Sequence, residues 1–353
     1  MSKTDVHGEV IGVLTGGGDA PGLNAVIRGV TLGAHSLNYE VVGIRNGWAG
    51  LLGVGDVRSI IPRDVEGIHM LGGTILGTSR TNPYKHPNGI SELKHNLIKN
   101  KIDYLVAIGG EDTLGVAKNL RLDDVNVVGV PKTIDNDVNC TDYTVGFDSA
   151  LNTASEAITR LHTTASSHGR TLIVEVMGRH AGWLALQAGI AGGAHVILVP
   201  ERPFNLEEVC SVVSKRRALG LEHTIIACSE GATSIGGEFV LRSEKVDEFN
   251  HVQLGGITEQ LAPLIEEKTG IECKSVVLGY LQRSGPPSAF DRVLGTRFGF
   301  SVVEAVERGE FGRMVAVNGT EIVTVGLDEA LASLKTVPKN MIDDADRYLG
   351  MNE

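Results

Sequence analysis

Short runs of aliphatic and β-branched residues recur along the chain, each ending in a turn and giving way to an amphipathic stretch. Residues 10–14 (VIGVL) lead through three glycines at 16–18 into a helical pattern at 20–34. Residues 104–108 (YLVAI) lead through Gly109 and Gly110 into another at 113–120. Residues 125–130 (VNVVGV) run into a loop at 131–137, and later runs at 171–176, 195–200, 224–228 and 274–279 are each followed by a helix-like segment. Within these runs the apolar positions are continuous rather than alternating, so both faces of each strand need cover. Such strands alternating with helices predict an α/β protein built on parallel sheet with helices on both sides. Ligands of such sheets collect at the carboxyl ends of the strands, where loops and helix N-termini converge. The residues just after each apolar run are therefore the candidates for chemistry.

At 353 residues the chain exceeds what one small core needs, and two domains are expected. No low-complexity linker separates them, so the chain is expected to cross between them more than once. Glycine, at 45 residues against 8 Phe, 6 Tyr and 2 Trp, points to many tight turns or to backbone brought close to a ligand. A net charge of −11 excludes non-specific partnership with nucleic acid or an anionic membrane. An anionic ligand would then need basic residues gathered against the global field. Cys140, Cys210, Cys228 and Cys273 lack the paired spacing of a zinc or redox site and read as free thiols. The N-terminal MSKTDVHGEV carries no basic-then-apolar signal, and no apolar run reaches membrane-spanning length. A soluble, cytoplasmic protein is expected.

Three loops stand out. In Thr15-Gly16-Gly17-Gly18-Asp19 the glycines bare backbone N–H groups just before a helix start, a geometry that suits an anion and equally a structural turn. In Gly109-Gly110-Glu111-Asp112-Thr113 two acids sit at a glycine turn, awkward for phosphate unless a divalent cation such as Mg²⁺ lies between; a helix cap is the other reading. In Pro131-Lys132-Thr133-Ile134-Asp135-Asn136-Asp137 two carboxylates could divide the work of base and orienting group, with Lys132 as a point charge, while a plain Asx-turn competes. Arg170, Arg179 and Arg283 lie beside later strands, where an anion pocket would recruit them. His162, His168 and His180 lack a partner at metal-ligand spacing.

Taken together, TGGGDAPGLNAVIRG, GGTILGTSR, IGGEDT, PKTIDNDV, VGFDSA, SSHGR, EVMGRHAGW, AGGA and LGYLQRSG with Asp291-Arg292 resemble the phosphofructokinases, in that family's order. The resemblance implies two Rossmann-like three-layer α/β/α domains. Residues 1–146 with 282–332 would bind the phosphoryl donor, and 147–281 with 333–353 the fructose 6-phosphate. It implies Asp135 as the base toward the sugar 1-hydroxyl, with Asp137 and Thr133 orienting metal and substrate and Arg179 near the moving phosphoryl group. Gly18, Arg80, Gly110, Asp112 and Lys132 would face the donor, and Glu111 would hold Mg²⁺. Met177, Gly178 and Glu230 would contact the sugar, and Tyr280 and Arg283 its 6-phosphate. Arg170 and Lys274 match residues that reach in from a neighbouring subunit, which implies a homo-oligomer, dimer or tetramer, with shared sites.

The donor is read from one position. ATP-using members of the family usually carry glycine where this chain has Asp112, and commonly also where it has Lys132. A carboxylate there fills the space of a nucleotide's α-phosphate and ribose, and a unit-charge pair at 4 Å costs about 4 kcal/mol at an effective dielectric of 20. Pyrophosphate is therefore the expected donor, with ATP the alternative. A lipid or NAD kinase would share the glycine-glycine-acid loop but lack the Arg179 and Gln282-Arg283 motifs.

Overall fold

The computed structural model describes residues 8–53, 55–237, 249 and 254–349. Residues 1–7 of the N-terminal stretch considered above lie outside them. In chain order the regular elements are β1 (Val10–Thr15), α1 (Leu23–Ser36), β2 (Glu40–Ile44), β3 (Val57–Ser59), α2 (Gly89–Lys99), β4 (Tyr104–Gly109), α3 (Glu111–Leu122) and β5 (Val127–Pro131). There follow α4 (Phe147–His168), β6 (Thr171–Val176), α5 (Trp183–Gly192), β7 (Val196–Leu198), α6 (Leu206–Ala218), β8 (Thr224–Ser229), α7 (Ile257–Thr269) and β9 (Cys273–Val277). The chain closes with α8 (Ala289–Glu307), β10 (Arg313–Asn318), β11 (Glu321–Gly326), α9 (Leu327–Ala330) and α10 (Lys339–Tyr348).

The strands form two sheets, one ordered β11-β10-β5-β4-β1-β2-β3 and one ordered β7-β8-β6-β9. The smaller is parallel throughout. The larger is parallel in its centre, but β3 runs antiparallel to β2 and β11 antiparallel to β10. Those edges are a correction to the all-parallel expectation. An edge strand of an α/β sheet needs no crossover helix, and β10 and β11 are joined by a short turn of the kind only antiparallel neighbours permit.

The continuous apolar runs are explained by cover on both faces. In β4, Val106 and Ile108 pack with α1 and α8, while Leu105 and Ala107 pack with α2 and α3 on the other side. In β6, Leu172 and Val174 join the core under α4 and α5, and Ile173 joins the one under α6 and α7. Each fully buried aliphatic side chain is worth about 1.5–3 kcal/mol, so a charge at Ile226 on β8 would open the smaller unit. Each sheet is thus the middle of an α/β/α sandwich. Two of the helix starts shift from the sequence reading: α1 begins at Leu23 because Pro21 and Gly22 (φ 103°) shape the turn before it, and α3 begins at Glu111, enclosing both acids in its first turn.

The larger sheet takes strands from both ends of the sequence, so the chain crosses between the units more than once, as the missing linker suggested. At one crossing Asp291 on α8 accepts the N–H groups of Gly146 and Ser149 at the start of α4, both at 2.8 Å, and the Ser149 hydroxyl at 2.5 Å. Burial pushes this carboxyl up to about 6 against those hydrogen bonds. All four cysteines are free. No helix among the described residues is long and apolar enough to cross a membrane.

Candidate active site

β1, β4 and β5 end side by side, with Thr15 beside Ile108 and Gly109 beside Pro131, so the three loops singled out in the sequence emerge together. They are then stitched by backbone. Gly16 N donates to Ile108 O, Lys132 N to Gly109 O, and Gly17 N to Ser79 O, each at 2.9 Å. The glycines have a steric cause. Thr113, in the first turn of α3, sits against both glycine loops: a methyl on Gly16 would lie 2.5 Å from its hydroxyl, and one on Gly109 2.3 Å from its Cβ. Thr113 was not foreseen as part of the site. Its place three residues after Gly110 was the available signal.

The loops enclose a cavity of about 50 Å³. Its lining joins Gly17, Gly18, Gly110, Glu111, Asp112, Thr113 and Lys132 with Thr133, Asp135, Asp137, Arg80, Arg179 and Arg283. The structure thus brings together the expected donor, metal and base positions. Met177, Gly178 and Glu230 stand next to this group, at the ends of β6 and β8: Gly178 N and Arg179 N donate to Glu230 Oε1 at 3.3 and 3.0 Å. Arg283 departs from the expected partition. It lies against the first glycine loop, donating to Asp19 O at 3.0 Å, and a methyl on Gly18 would strike its guanidinium at 2.8 Å. Tyr280 is 81% exposed. Arg170 and Lys274 lie outside the cavity; both pair with Glu272, at 3.4 Å, and Lys274 also with Glu266 at 3.5 Å.

In the third loop it is Asn136, not the aspartates, whose side chain ties the backbone, reaching six and eight residues along the chain. Asn136 sits in the left-handed region (φ 52°), accepts Thr144 N at 3.1 Å and donates to Asp142 O at 3.2 Å. That leaves the carboxylates for other work. Asp135 Oδ1 is buried with no hydrogen-bond partner, a costly condition unless a ligand meets it. Arg179 is also held at positive φ (53°), after Gly178 at φ 144°. Strained backbone of this kind concentrates at functional loops.

Charge is crowded here. Burial, with the neighbouring Asp135 charge second, pushes Asp137 up to about 7, against the pull of Arg179. Glu230 is also raised, by burial first and Asp135 second. Lys132 is 2% exposed; its ammonium donates to Gly16 O at 2.9 Å and to Gly18 O. Burial, then the Arg283 guanidinium, lowers it to about 7, with Asp19 and Asp135 acting the other way.

A divalent cation fits this set on two grounds: the orphaned Asp135 oxygen, and the mutual repulsion recorded at Asp137, to which Glu111 also contributes. Among the described residues these three acids do not converge tightly enough to form a cage of three protein ligands; the one group that does is His162, His195 and His223. A hard cation held by one or two carboxylates, with phosphate oxygens and water completing its shell, matches magnesium's habits.

Beyond Glu111 and Asp112 opens a second cavity of about 330 Å³, lined also by Tyr84, Gly115, Lys118, Asn119 and Leu331. Glu111 and Asp112 thus line both cavities.

Comparison with known proteins adds the family. Residues 10–306 match the family described as phosphofructokinase. A pyrophosphate--fructose 6-phosphate 1-phosphotransferase of Amycolatopsis methanolica is 57% identical over 341 residues, 96% of this chain and 99% of that protein. An ATP-dependent 6-phosphofructokinase of Mycobacterium leprae is 48% identical over 343 residues, again 96% and 99%. Among solved structures, phosphofructokinase from Saccharomyces cerevisiae superposes with a TM-score of 0.80 at 29% identity; the match covers 98% of this chain but only 46% of the yeast one.

Proposed function

Since the chain belongs to the phosphofructokinase family of phosphotransferases, we propose that it transfers a phosphoryl group reversibly between pyrophosphate and O1 of fructose 6-phosphate in the cytoplasm. The observation that carries the donor assignment is the position of Asp112, a residue that lines both the small cavity and the larger one behind it. A nucleotide would thread its α-phosphate past that carboxylate; pyrophosphate ends before reaching it.

On this reading the donor lies on the first two glycine loops. The bare N–H groups around Gly18 and Gly110, the Lys132 ammonium and Arg80 balance its charge. Asp135 accepts the proton of the sugar 1-hydroxyl as that oxygen forms its bond to phosphorus and the bridging P–O bond breaks, releasing phosphate. Thr133 and Asp137 fix the loop and the approach: Thr133 Oγ1 already accepts Asp135 N at 3.1 Å. Arg179 and Arg80 meet the charge spreading over the equatorial oxygens. Glu111, with Asp135 or Asp137, would hold Mg²⁺, which supplies neutralisation of the phosphate oxygens. Met177, Gly178 and Glu230 face the sugar, and Tyr280 and Arg283 its 6-phosphate, Arg283 leaving its resting contact with Asp19 O to do so. Arg170 and Lys274 act across a subunit boundary in a homo-oligomer. The unit on the larger sheet, residues 1–146 with 282–332, handles the donor, and 147–281 with 333–353 the sugar.

A second reading, ATP as donor, has two observations in its favour: the similarity to the ATP-dependent enzyme of Mycobacterium leprae, and the 330 Å³ cavity behind Asp112, which is open and of a size to take part of a nucleoside. Turnover of fructose 6-phosphate and Mg²⁺ with each donor separates the two. Pyrophosphate should support the reaction and ATP should not, while Asp112→Gly should create ATP activity. Efficient ATP turnover by the unaltered protein, with none from pyrophosphate, overturns the donor assignment.

A further inference from the structure

Three histidines far apart in sequence meet at the base of the four-stranded sheet: His162 on α4, His195 just before β7 and His223 just before β8. The site above lies at the other end of these strands, about 20 Å away for a six-residue strand. All three rings are half-buried, with centroids 5.2–5.5 Å apart and edges turned to faces.

The hydrogen bonds fix where the protons are. Gly192 O can only accept, so His162 carries its proton on Nε2, 2.9 Å away. His162 Nδ1 is then a bare acceptor, and His223 Nε2, 3.0 Å from it, must donate. Ile225 N–H can only donate, so His195 Nδ1, at 2.9 Å, is bare as well. This pattern is complete with a single proton on each ring. The same polarity argues against a resident metal, although the ring nitrogens are close enough to hold one. A ligating histidine gives its outer N–H to an acceptor, whereas the outer nitrogen of His195 is itself accepting. The Arg216 guanidinium beside the rings adds a standing positive charge.

We propose that this trio is an acid-sensitive clasp, tying α4 and α5 to the starts of β7 and β8 while His195 is uncharged. A proton on His195 Nδ1 would face the Ile225 N–H, which is fixed as a donor. Its arrival breaks that hydrogen bond and forms none. The fixed charge nearest the rings tilts the same way. From α6, Arg216 donates to His223 O at 3.3 Å and keeps its Nε buried without a partner. Glu222, exposed at the foot of β8, is the opposing charge on His223. Burial first, then Arg216, lowers His195 to about 3, and burial with the His162 ring also lowers His223. Folded values below the unfolded one mean that the native state binds fewer protons. The stabilisation is therefore complete above pH 6.5 and drains away as the pH falls toward 3. For His195, moving from pH 7.5 to 5.5 raises the unfolding constant about tenfold.

The test is urea unfolding of the full chain at both pH values, for wild type, His195→Asn and an exposed control, His168→Gln. The amide oxygen introduced by His195→Asn can still accept the Ile225 N–H but cannot titrate. Wild type and control should lose the same stability on acidification, and His195→Asn about tenfold less in unfolding constant. Equal losses in all three overturn the clasp. So does stabilisation of wild type, but not of His195→Asn, by micromolar Zn²⁺, which would make the trio a cation site. Should His195→Asn fail to fold, His195→Gln, which keeps an amide acceptor on a longer side chain, is read the same way. Side-chain nitrogen spectra of wild type give an answer without any variant: an uncharged Nε2–H tautomer of His195 at pH 5.5 supports the clasp, and a charged His195 ring at that pH refutes it.

Discussion

Around the seven-stranded sheet, the residues facing the Asp135 cavity are locked by neighbours from their own chain. Thr113 wedges two glycine loops, Lys132 clips the first loop by its carbonyls, and Arg283 closes over Gly18. Around the four-stranded sheet, the cationic residues expected to serve the sugar point elsewhere. Arg170 and Lys274 are tied up with Glu272 and Glu266, and Tyr280 stands in solvent. Exposed ion pairs of this kind are worth little and are readily exchanged for a better anion. The contrast teaches that one half of the proposed site is preorganised by a single fold, while the other holds its binding groups in reserve for a surface that a second copy would supply.

The largest effect should come from the completed half. Asp135→Ser removes a carboxylate oxygen that, alone of its kind among the described residues, is buried with no partner, so it should cost catalysis without costing the fold. We expect kcat to fall by about 10²–10⁴, the usual worth of a positioned base, with the urea midpoint unchanged or raised. A kcat within tenfold of wild type would show that Asp135 is not the base and that the preorganised half is organised for something else.

The second experiment targets the unfinished half. Arg170→Ala should weaken binding of the sugar phosphate by about 10–100-fold, the worth of a charged hydrogen bond at 1.5–3 kcal/mol. Its sharper form mixes Arg170→Ala chains with Asp135→Ser chains after mild dissociation. If sites are shared, one site of each hybrid joins an intact Asp135 to an intact Arg170, and about a quarter of wild-type activity should return for a randomly mixed dimer. If the mixture stays as inactive as its parents, Arg170 does not act across a boundary, and the contrast between the halves loses its explanation.

How far the sequence revealed this follows from the same contrast. The central strands and the three loops were legible because a strand covered on both faces must be continuously apolar, and because glycine clusters mark where backbones crowd. Even so, the reason for the crowding lay in Thr113, whose side chain reaches loops about a hundred residues apart, and no local pattern displays that. The antiparallel edges β3 and β11 were missed because edge strands are only half covered and lose the continuous signal: β3 reads VRS, and β11 is interrupted by Thr324 and nowhere fully buried. The histidine trio was invisible for a related reason. His162, His195 and His223 have no metal-like spacing and meet only because α4, β7 and β8 start or end at one level. Asn136 shows the remaining limit. Its neighbours looked like rivals for one turn, but only the folded loop shows that it takes the local hydrogen bonds and leaves both aspartates to the cavity.

The smallest expected effect concerns Lys132 and refines what preorganisation means in the completed half. An ammonium has three donors; two are spent on Gly16 O and Gly18 O, which leaves one for the cavity that it lines. Because burial and Arg283 bring its value to about 7, the free site is a mixture of charged and neutral lysine at neutral pH. A phosphate anion favours the charged form, so above pH 7 donor binding must draw in a proton, and the donor KM should climb by up to about tenfold per pH unit from this group. Asp137, raised to about 7, also gains negative charge over that range, so the diagnostic is a difference in slope. Lys132→Met should raise the donor KM several-fold at pH 7 and rise less steeply above it, by about one logarithmic unit per pH unit. The stability sign runs the other way. With the folded value below the unfolded 10.5, the native state binds fewer protons between pH 7 and 10.5, so wild type should gain stability over that window relative to Lys132→Met. Parallel KM profiles for the two proteins would mean that the lysine never loses its proton and serves the loop as a backbone clip alone.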